Sequence, residues 1–459
     1  MLFVGVDAVV AQGLADPLTL QGLDQIQILG ARARGMGGAS VGNPSDATAL
    51  FSNPAALRVL SAPEIRISGW TRASTISQRQ EWIPDRLYGE FSLLMENRQT
   101  YRIAPVDNIS ANWEQTSSTI RPSLAVGALP VNLGGIDVVL GIGGAELFDL
   151  NHYYRNNNGL NPNIGQLRPA PIPRVSGTDS LMVDWFQFVR EREGVIYAVT
   201  PAISVALTAD ISLGFSVSVL SGSSDDAESR TGRGLFNLKV NNNYSLAATD
   251  YHRAMSGTST YSGTFTTVGF FYKTETIGIG ISARTPFTLT QEQDFGSVFD
   301  TAGVRSVSQQ SGSVEVKFPW IYTVGIALHP ANNLSIGIDY GIRELNLVEA
   351  KAADGNTSTP WLASRVFHTG AEYRMTEELV VRLGYRQTAN GFGEEGSGLT
   401  EEAVGGSAYS LGAGYRFGVI HVDGFYEMAE TEFIDRWLSN ANFNSRSSHT
   451  FGVEVSVTF

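Results

Sequence analysis

The six histidines, His152, His252, His329, His368, His421 and His449, are the side chains best suited to metal or acid–base chemistry, and their spacing supports neither. No two stand four apart as they would on one helical face, and none lies in a metal-binding tract. Cysteine is absent, which excludes a disulfide framework, a thiolate metal site and a cysteine nucleophile. No G-x-S-x-G elbow occurs. The run "RGMGGA" (Arg34 to Ala39) meets neither the dinucleotide nor the P-loop pattern, and no βαβ context surrounds it. The expectation is a protein that is not an enzyme and holds no cofactor or metal. A net charge of −13 also speaks against a nucleic-acid partner, whose phosphates need a dense basic face.

What remains is binding chemistry of two kinds. One is an apolar cluster, Leu181, Trp185, Phe186, Phe188 and Val189, in a segment that is otherwise polar; Ser180 or Asp179 is placed to cap a short helix there. Such a cluster either packs as a lid or offers a greasy groove to a ligand. The other is a set of arginines, Arg284, Arg343, Arg374, Arg382, Arg386 and Arg416, that share one face of alternating segments with Asp339, Glu372, Asp423 and Glu454. Charges stacked on neighbouring strands ordinarily pair with one another. In the sharper reading one or two of the arginines, with Arg284, Arg382 and Arg386 the candidates, fork onto the carboxylate of a ligand.

The elements that position these residues are strands. The chain closes on "HTFGVEVSVTF", where Phe451, Val453, Val455, Val457 and Phe459 alternate with Gly452, Glu454, Ser456 and Thr458. "LSIGIDYGIR" and "LVVRLGYR" behave alike, and their second face is rich in Gly, Ser and charge. Gly weakens a strand, so this composition suits the inner face of a curved wall better than a solvated one. Fourteen such segments are predicted, near 63–74, 118–131, 136–150, 194–207, 210–222, 259–274, 277–290, 313–329, 334–349, 364–375, 379–390, 408–417, 419–430 and 448–459. Short turns ("NLGG", "TAD", "TET", "PANN", "MTEE", Gly418) alternate with long polar loops at 75–117, 151–193, 223–258, 291–312, 350–363, 391–407 and 431–447. That asymmetry, charged residues at only 17% and 49 glycines predict an all-β fold: a closed antiparallel 14-stranded outer-membrane β-barrel. An even count places both chain ends on the periplasmic side. No run of eighteen apolar residues offers a transmembrane helix.

Residues 1–15 read as a truncated secretory signal, 16–62 as an N-terminal plug and 63–459 as the barrel. The plug contains "GARARGMGGASVGNPSDATALFSNPAAL" (Gly30 to Leu57). Its small residues allow close packing, and Pro44 and Pro54 deny it sheet pairing. Arg32 and Arg34 have lumen carboxylates available as partners.

This stretch resembles the N-terminal plug of the FadL/OmpP1/TodX family of outer-membrane transporters. Gly35 to Ala39 match its Gly-Met-Gly-Gly-Ala core, Asp46-Ala47 its acidic step, and Asn53-Pro54-Ala55 its signature triplet; Ala56 stands where the family usually has Gly. Residues 277–289, 318–340 and 369–386 are similar too. The resemblance implies a plugged fourteen-stranded barrel for passive uptake of hydrophobic small molecules, long-chain fatty acids or aromatic hydrocarbons. It implies outer-membrane lipid around a monomer, and often an opening in the wall. Gly35, Gly37, Gly38, Asp46, Asn53, Pro54 and Ala55 would then form the gate, and the apolar segment the first ligand site. A PorV-like branch of the same superfamily implies an alternative, a shuttle for protein cargo in a secretion system.

Overall fold

The computed structural model describes residues 21–82, 109–161, 180–239, 244–247, 251–301, 303–359, 361–389, 404–436 and 440–459. The first half of the wall consists of β1 (Glu64–Trp82), β2 (Trp113–Leu133), β3 (Ile136–Asp149), β4 (His152–Asn161), β5 (Ser180–Ala206), β6 (Ile211–Lys239), β7 (Tyr244–Ala247), β8 (Tyr251–Lys273), β9 (Ile277–Arg284) and β10 (Phe287–Thr301). The second half consists of β11 (Val304–Phe318), β12 (Ile321–Ala331), β13 (Leu334–Arg343), β14 (Glu349–Lys351), β15 (Thr357–Ser358), β16 (Ser364–Arg374), β17 (Leu379–Ala389), β18 (Gly405–Phe417), β19 (Ile420–Arg436) and β20 (Asn440–Thr458). Three pairs, β3 with β4, β9 with β10 and β11 with β12, each continue one wall strand across a break. With β7, β14 and β15 as small additions, the wall is a closed antiparallel barrel of fourteen strands. β1 closes it by pairing with both β2 and β20.

The barrel is inside-out relative to a soluble sandwich. On β20, Phe451, Val453 and Val455 are exposed, whereas Gly452, Glu454 and Ser456 are buried. On β12 the outward residues are Trp320 just before it, then Tyr322, Val324, Ile326 and Leu328. A continuous exposed apolar face on closed strands is stable against lipid, because every backbone group finds its partner within the wall. Tyr415–Phe417 and Trp320–Tyr322 form ring pairs on this face, as girdles do.

Two sequence expectations need correction. The segments 151–193, 223–258, 291–312 and 431–447 are read above as loops, but β4, β5, β6, β8, β10, β19 and β20 run on through much of them. Above the lipid both faces of a strand can be polar, so period 2 in hydrophobicity disappears while the hydrogen-bond ladder continues. The short helix predicted from Ser180 is also replaced: Ser180 opens β5, paired with Lys239 of β6. Residues 1–15 and the rest of the 162–179 stretch lie outside the described residues.

Candidate functional site

Residues 21–62 pack inside the barrel and form two short helices, α1 (Ala31–Gly35) and α2 (Ala49–Ser52), and a 3-10 turn over Pro54–Val59. Gly37 and Gly38 have positive φ (64° and 97°), which ends α1 and turns the chain along the wall. Leu50, Ala55, Ala56 and Leu57 are fully buried against Leu124, Val126 and Val139 of the wall, in one cluster. Each buried leucine contributes about 1.5–3 kcal/mol.

The Gly-rich inner face now has a cause. The plug backbone lies directly on it. A Cβ at Gly280 would fall 1.9 Å from the Val41 oxygen, at Gly384 2.0 Å from the Gly37 nitrogen, and at Gly214 2.0 Å from the Ala55 nitrogen. At Gly269 it would fall 2.1 Å from Asn53 Oδ1, and at Gly325 2.3 Å from the Gly42 nitrogen. Gly35 meets Gly412 across the same surface.

Hydrogen bonds fasten this seat. Asp339 accepts three successive plug amides, from Ser40 (2.7 Å), Val41 (2.8 Å) and Gly42 (3.3 Å). Ser204 and Ser212 both donate to the Ala55 carbonyl at 2.8 Å, and Asn53 donates to the Phe270 carbonyl at 3.1 Å. The Asn53-Pro54-Ala55 triplet is thus bonded to β5, β6 and β8.

Beneath the plug lies an ion-pair cage. Arg66 meets Glu454 (2.6 Å), Glu64 (2.8 Å), Asp423 (3.8 Å) and the plug's Asp46 (3.9 Å). Arg382 bridges Glu372 (2.7 Å) and Asp423 (2.6 Å), and Arg32 of the plug joins Glu372 at 2.8 Å. Burial alone would raise the Asp46 carboxyl. Arg66 and Arg32, with the Thr48 hydroxyl and amide, outweigh it and hold it below the usual carboxylate range. Arg34 turns instead onto its own segment, donating to Gln27 Oε1 (2.7 Å) and the Ile28 carbonyl (2.8 Å).

The predicted ligand arginines separate here. Arg382 belongs to the cage, and Arg386 is forked onto Glu427 (2.7 and 3.0 Å). Arg284 alone of the three lines a cavity of about 130 Å³ between plug and wall, together with Leu29, Phe51, Ile321, Thr323 and Arg343. Its guanidinium lies over the Phe265 ring at 4.3 Å. Phe265, Phe287, Phe318 and Trp361 follow one another at 5.1, 4.6 and 5.6 Å as an aromatic column. Arg374 and Arg416 are exposed and line a charged recess that also contains the cage arginines.

At the far end lie the aromatic residues of the apolar cluster. Trp185, Phe186 and Phe188 are fully buried, and each ring is covered by a guanidinium: Arg233 at 4.2 Å, Arg230 at 3.5 Å and Arg190 at 5.1 Å. Trp185 donates to Asn158 Oδ1 (2.9 Å), Asn158 to Gln80 (2.6 Å), and Gln80 to Asn442 (2.9 Å). This amide network joins β1, β4, β5 and β20 across the lumen. Val189 is half-buried beside Phe188, and the side chain of Leu181 lies outside the described residues.

Among the described residues the wall has a window. β2 pairs with β1 from Trp113 to Ala128, but with β3 only from Leu124 to Leu133. Above Ala145, β3 and then β4 turn away and pair with β5 alone. The facing edge of β2 over 113–123 therefore has no strand beside it among the described residues. At the base Arg121 crosses the gap, donating to Asp149 (3.2 Å), the Gly194 carbonyl (3.1 Å) and Asn151 (3.0 Å). At the top Trp113 meets the Tyr153 ring edge-on at 5.7 Å. Between them opens a cavity of about 240 Å³ lined by Trp70, Arg72, Ser117, Thr119 and Glu191. Arg121 stands a dozen residues above the Leu133 turn. A tilted strand needs about 9–11 residues to cross a bilayer, and the window begins just beyond that length of β2. Sequence reasoning missed it. Pro122, which cannot donate to a ladder, is the local signal, but Pro130 and Pro201 hold paired positions and dilute it.

Among the described residues, the fold and the site define a β-barrel with an N-terminal segment packed inside it and an unpaired stretch of β2 in its wall. No family model matches the chain, and no curated protein does. Among solved structures it is similar to a Pseudomonas aeruginosa FadL homologue, with 14% identity, 93% of this chain and 97% of that one covered, and a TM-score of 0.59. It is likewise similar to the Pseudomonas putida toluene transporter TodX (14%, 94% and 98%, 0.59) and to the Ralstonia pickettii toluene transporter TbuX (14%, 94% and 98%, 0.53). The chain has the fold of these FadL-type barrels over nearly its whole length.

Proposed function

We propose that this chain is a FadL/OmpP1/TodX-type transporter of the bacterial outer membrane. It passes hydrophobic small molecules passively through a barrel whose floor is closed. The observation that carries this reading is the pairing of a plug bonded to the wall on many sides with a gap between β2 and β3. On this reading a molecule that reaches the lumen meets the plug and the ion-pair cage below it, and leaves by a sideways route through the unpaired stretch of β2. A hydrophobic solute gains free energy by taking it, at about 25 cal/mol per Å² of apolar surface removed from water.

The test fills the window and leaves the pocket alone. Ser117→Trp with Thr119→Trp is expected to abolish uptake of radiolabelled hydrophobic probes by cells that depend on this barrel, with equilibrium binding by the purified protein intact. Unchanged uptake would rule out the side route. Secreted proteins recovered with the barrel from native membranes, with no hydrophobic ligand bound, would instead favour the cargo-shuttle reading.

A further inference from the structure

The cavity at Arg284 has a size and a charge that select a narrower ligand class. Among the described residues Arg284 Nε and Nη1 are shielded from solvent and have no hydrogen-bond acceptor, while Nη2 is not sealed off. A guanidinium held against a ring with no acid beside it is costly, because a buried charge needs both a counter-charge and hydrogen bonds. Arg343 stands two strands away in the same row: Ile321 of β12 pairs with Arg284 on one side and with Arg343 on the other. The Arg343 guanidinium donates to the Asp24 carbonyl at 3.2 Å. Asp339, the acid that lines the same cavity, is already committed to three plug amides. Two guanidiniums, Arg284 and Arg343, against the one carboxylate of Asp339 leave the formal charge of the lining positive, while Leu29, Phe51 and Ile321 give it an apolar side.

Its volume is about 130 Å³. An apolar cavity of roughly 150 Å³ holds one benzene ring. A long alkyl chain would exceed this volume and have to extend past the rim of the cavity.

We infer that this pocket takes a small single-ring monocarboxylate, of the benzoate kind, with its carboxylate on Arg284 and its ring between Phe51 and Ile321. The inference rests on the transport reading above and narrows it. A neutral arene would fill the apolar side and leave the guanidinium unmatched. A carboxylate satisfies both, through a charge-assisted fork. The window, with its polar lining, suits a ligand that keeps a charged head as it leaves.

The test is titration calorimetry on the detergent-folded full chain with benzoate, benzyl alcohol and laurate, for wild type, Arg284→Met and Arg284→Lys. Benzoate is expected to bind wild type more tightly than benzyl alcohol by on the order of 10- to 100-fold. Arg284→Met should erase that margin, Arg284→Lys should keep part of it, and benzyl alcohol should bind all three alike. Arg284→Met should melt no lower than wild type, since it removes an unmatched cation, so a lost margin cannot be blamed on misfolding. Equal affinity for benzoate and benzyl alcohol, or benzoate binding untouched by Arg284→Met, overturns the inference and leaves the transport reading standing. Laurate bound more tightly than benzoate through Arg284 overturns the single-ring assignment. Failure of all three ligands to bind overturns the transport reading as well.

Discussion

Gly384→Val should unseat the plug. Its new Cβ would fall 2.0 Å from the Gly37 nitrogen and 2.4 Å from the Met36 carbonyl carbon and Ser410 Oγ. Two of the three are plug backbone atoms, which cannot rotate aside as a flexible side-chain tip can. The wall is hydrogen-bonded on both sides of Gly384, through β16 and β18, so the plug is the partner that moves. Overpacking of this kind costs about 1–3 kcal/mol, which raises the unseated population about 5- to 150-fold. In planar bilayers the variant should conduct ions where wild type stays closed, and protease should reach residues 30–57 while the barrel remains folded. A variant as closed and as protected as wild type would mean that the plug is not held by contact with the glycine face.

Arg66→Leu should cost more. It removes one cation from among four carboxylates, Glu454, Glu64, Asp423 and Asp46, in a region where all of them are buried. Removing one partner of a buried ion pair typically costs about 3–5 kcal/mol. Glu454 and Glu64 also accept plug amides, from Ala31 (3.2 Å) and Ala47 (2.8 Å), so the loss reaches the plug as well as the wall. Arg66→Lys should fall between, keeping the charge and losing the fork. Adding Glu454→Gln to Arg66→Leu should recover part of the loss by removing one stranded charge. The folded fraction against temperature, read from the gel mobility of the intact barrel, checks all three. A melting point unchanged in Arg66→Leu would show that the cage is not what holds the floor.

Much of this architecture is legible in the sequence, and the physics says why. β20 reads unambiguously because lipid on one side and lumen on the other impose period 2 on every residue from Phe451 onward. The same condition makes the count of fourteen strands readable wherever the wall is in the bilayer. It fails at the upper end of the wall, where β6 carries polar residues on both faces over 221–234 and looks like a loop. Trp185, Phe186 and Phe188 are read as a lid or a groove because their partners, Arg233, Arg230 and Arg190, lie on another strand or farther along their own. The inner-face glycines are recognisable as unusual, but their reason, the plug backbone against Gly280 or Gly384, is a long-range contact. Arg284, Arg382 and Arg386 look equivalent in sequence. Only the placement of Glu372, Asp423 and Glu427 shows that two of them are already paired. The window is the least legible feature, since it consists of hydrogen bonds that β2 does not make.

The central claim is that ligand leaves through the wall while the plug stays in place. Ala39 and Gly337 allow it to be tested in one measurement. A Cβ at Gly337 would lie 3.2 Å from the Ala39 Cβ, close to the roughly 3.5–4.5 Å that a disulfide spans. The chain has no cysteine to compete. With Ala39→Cys and Gly337→Cys oxidised, the plug is tied to β13, and uptake of a hydrophobic probe should proceed at the rate of the reduced protein. Uptake that stops on oxidation and returns on reduction would contradict the account and make the plug the moving gate.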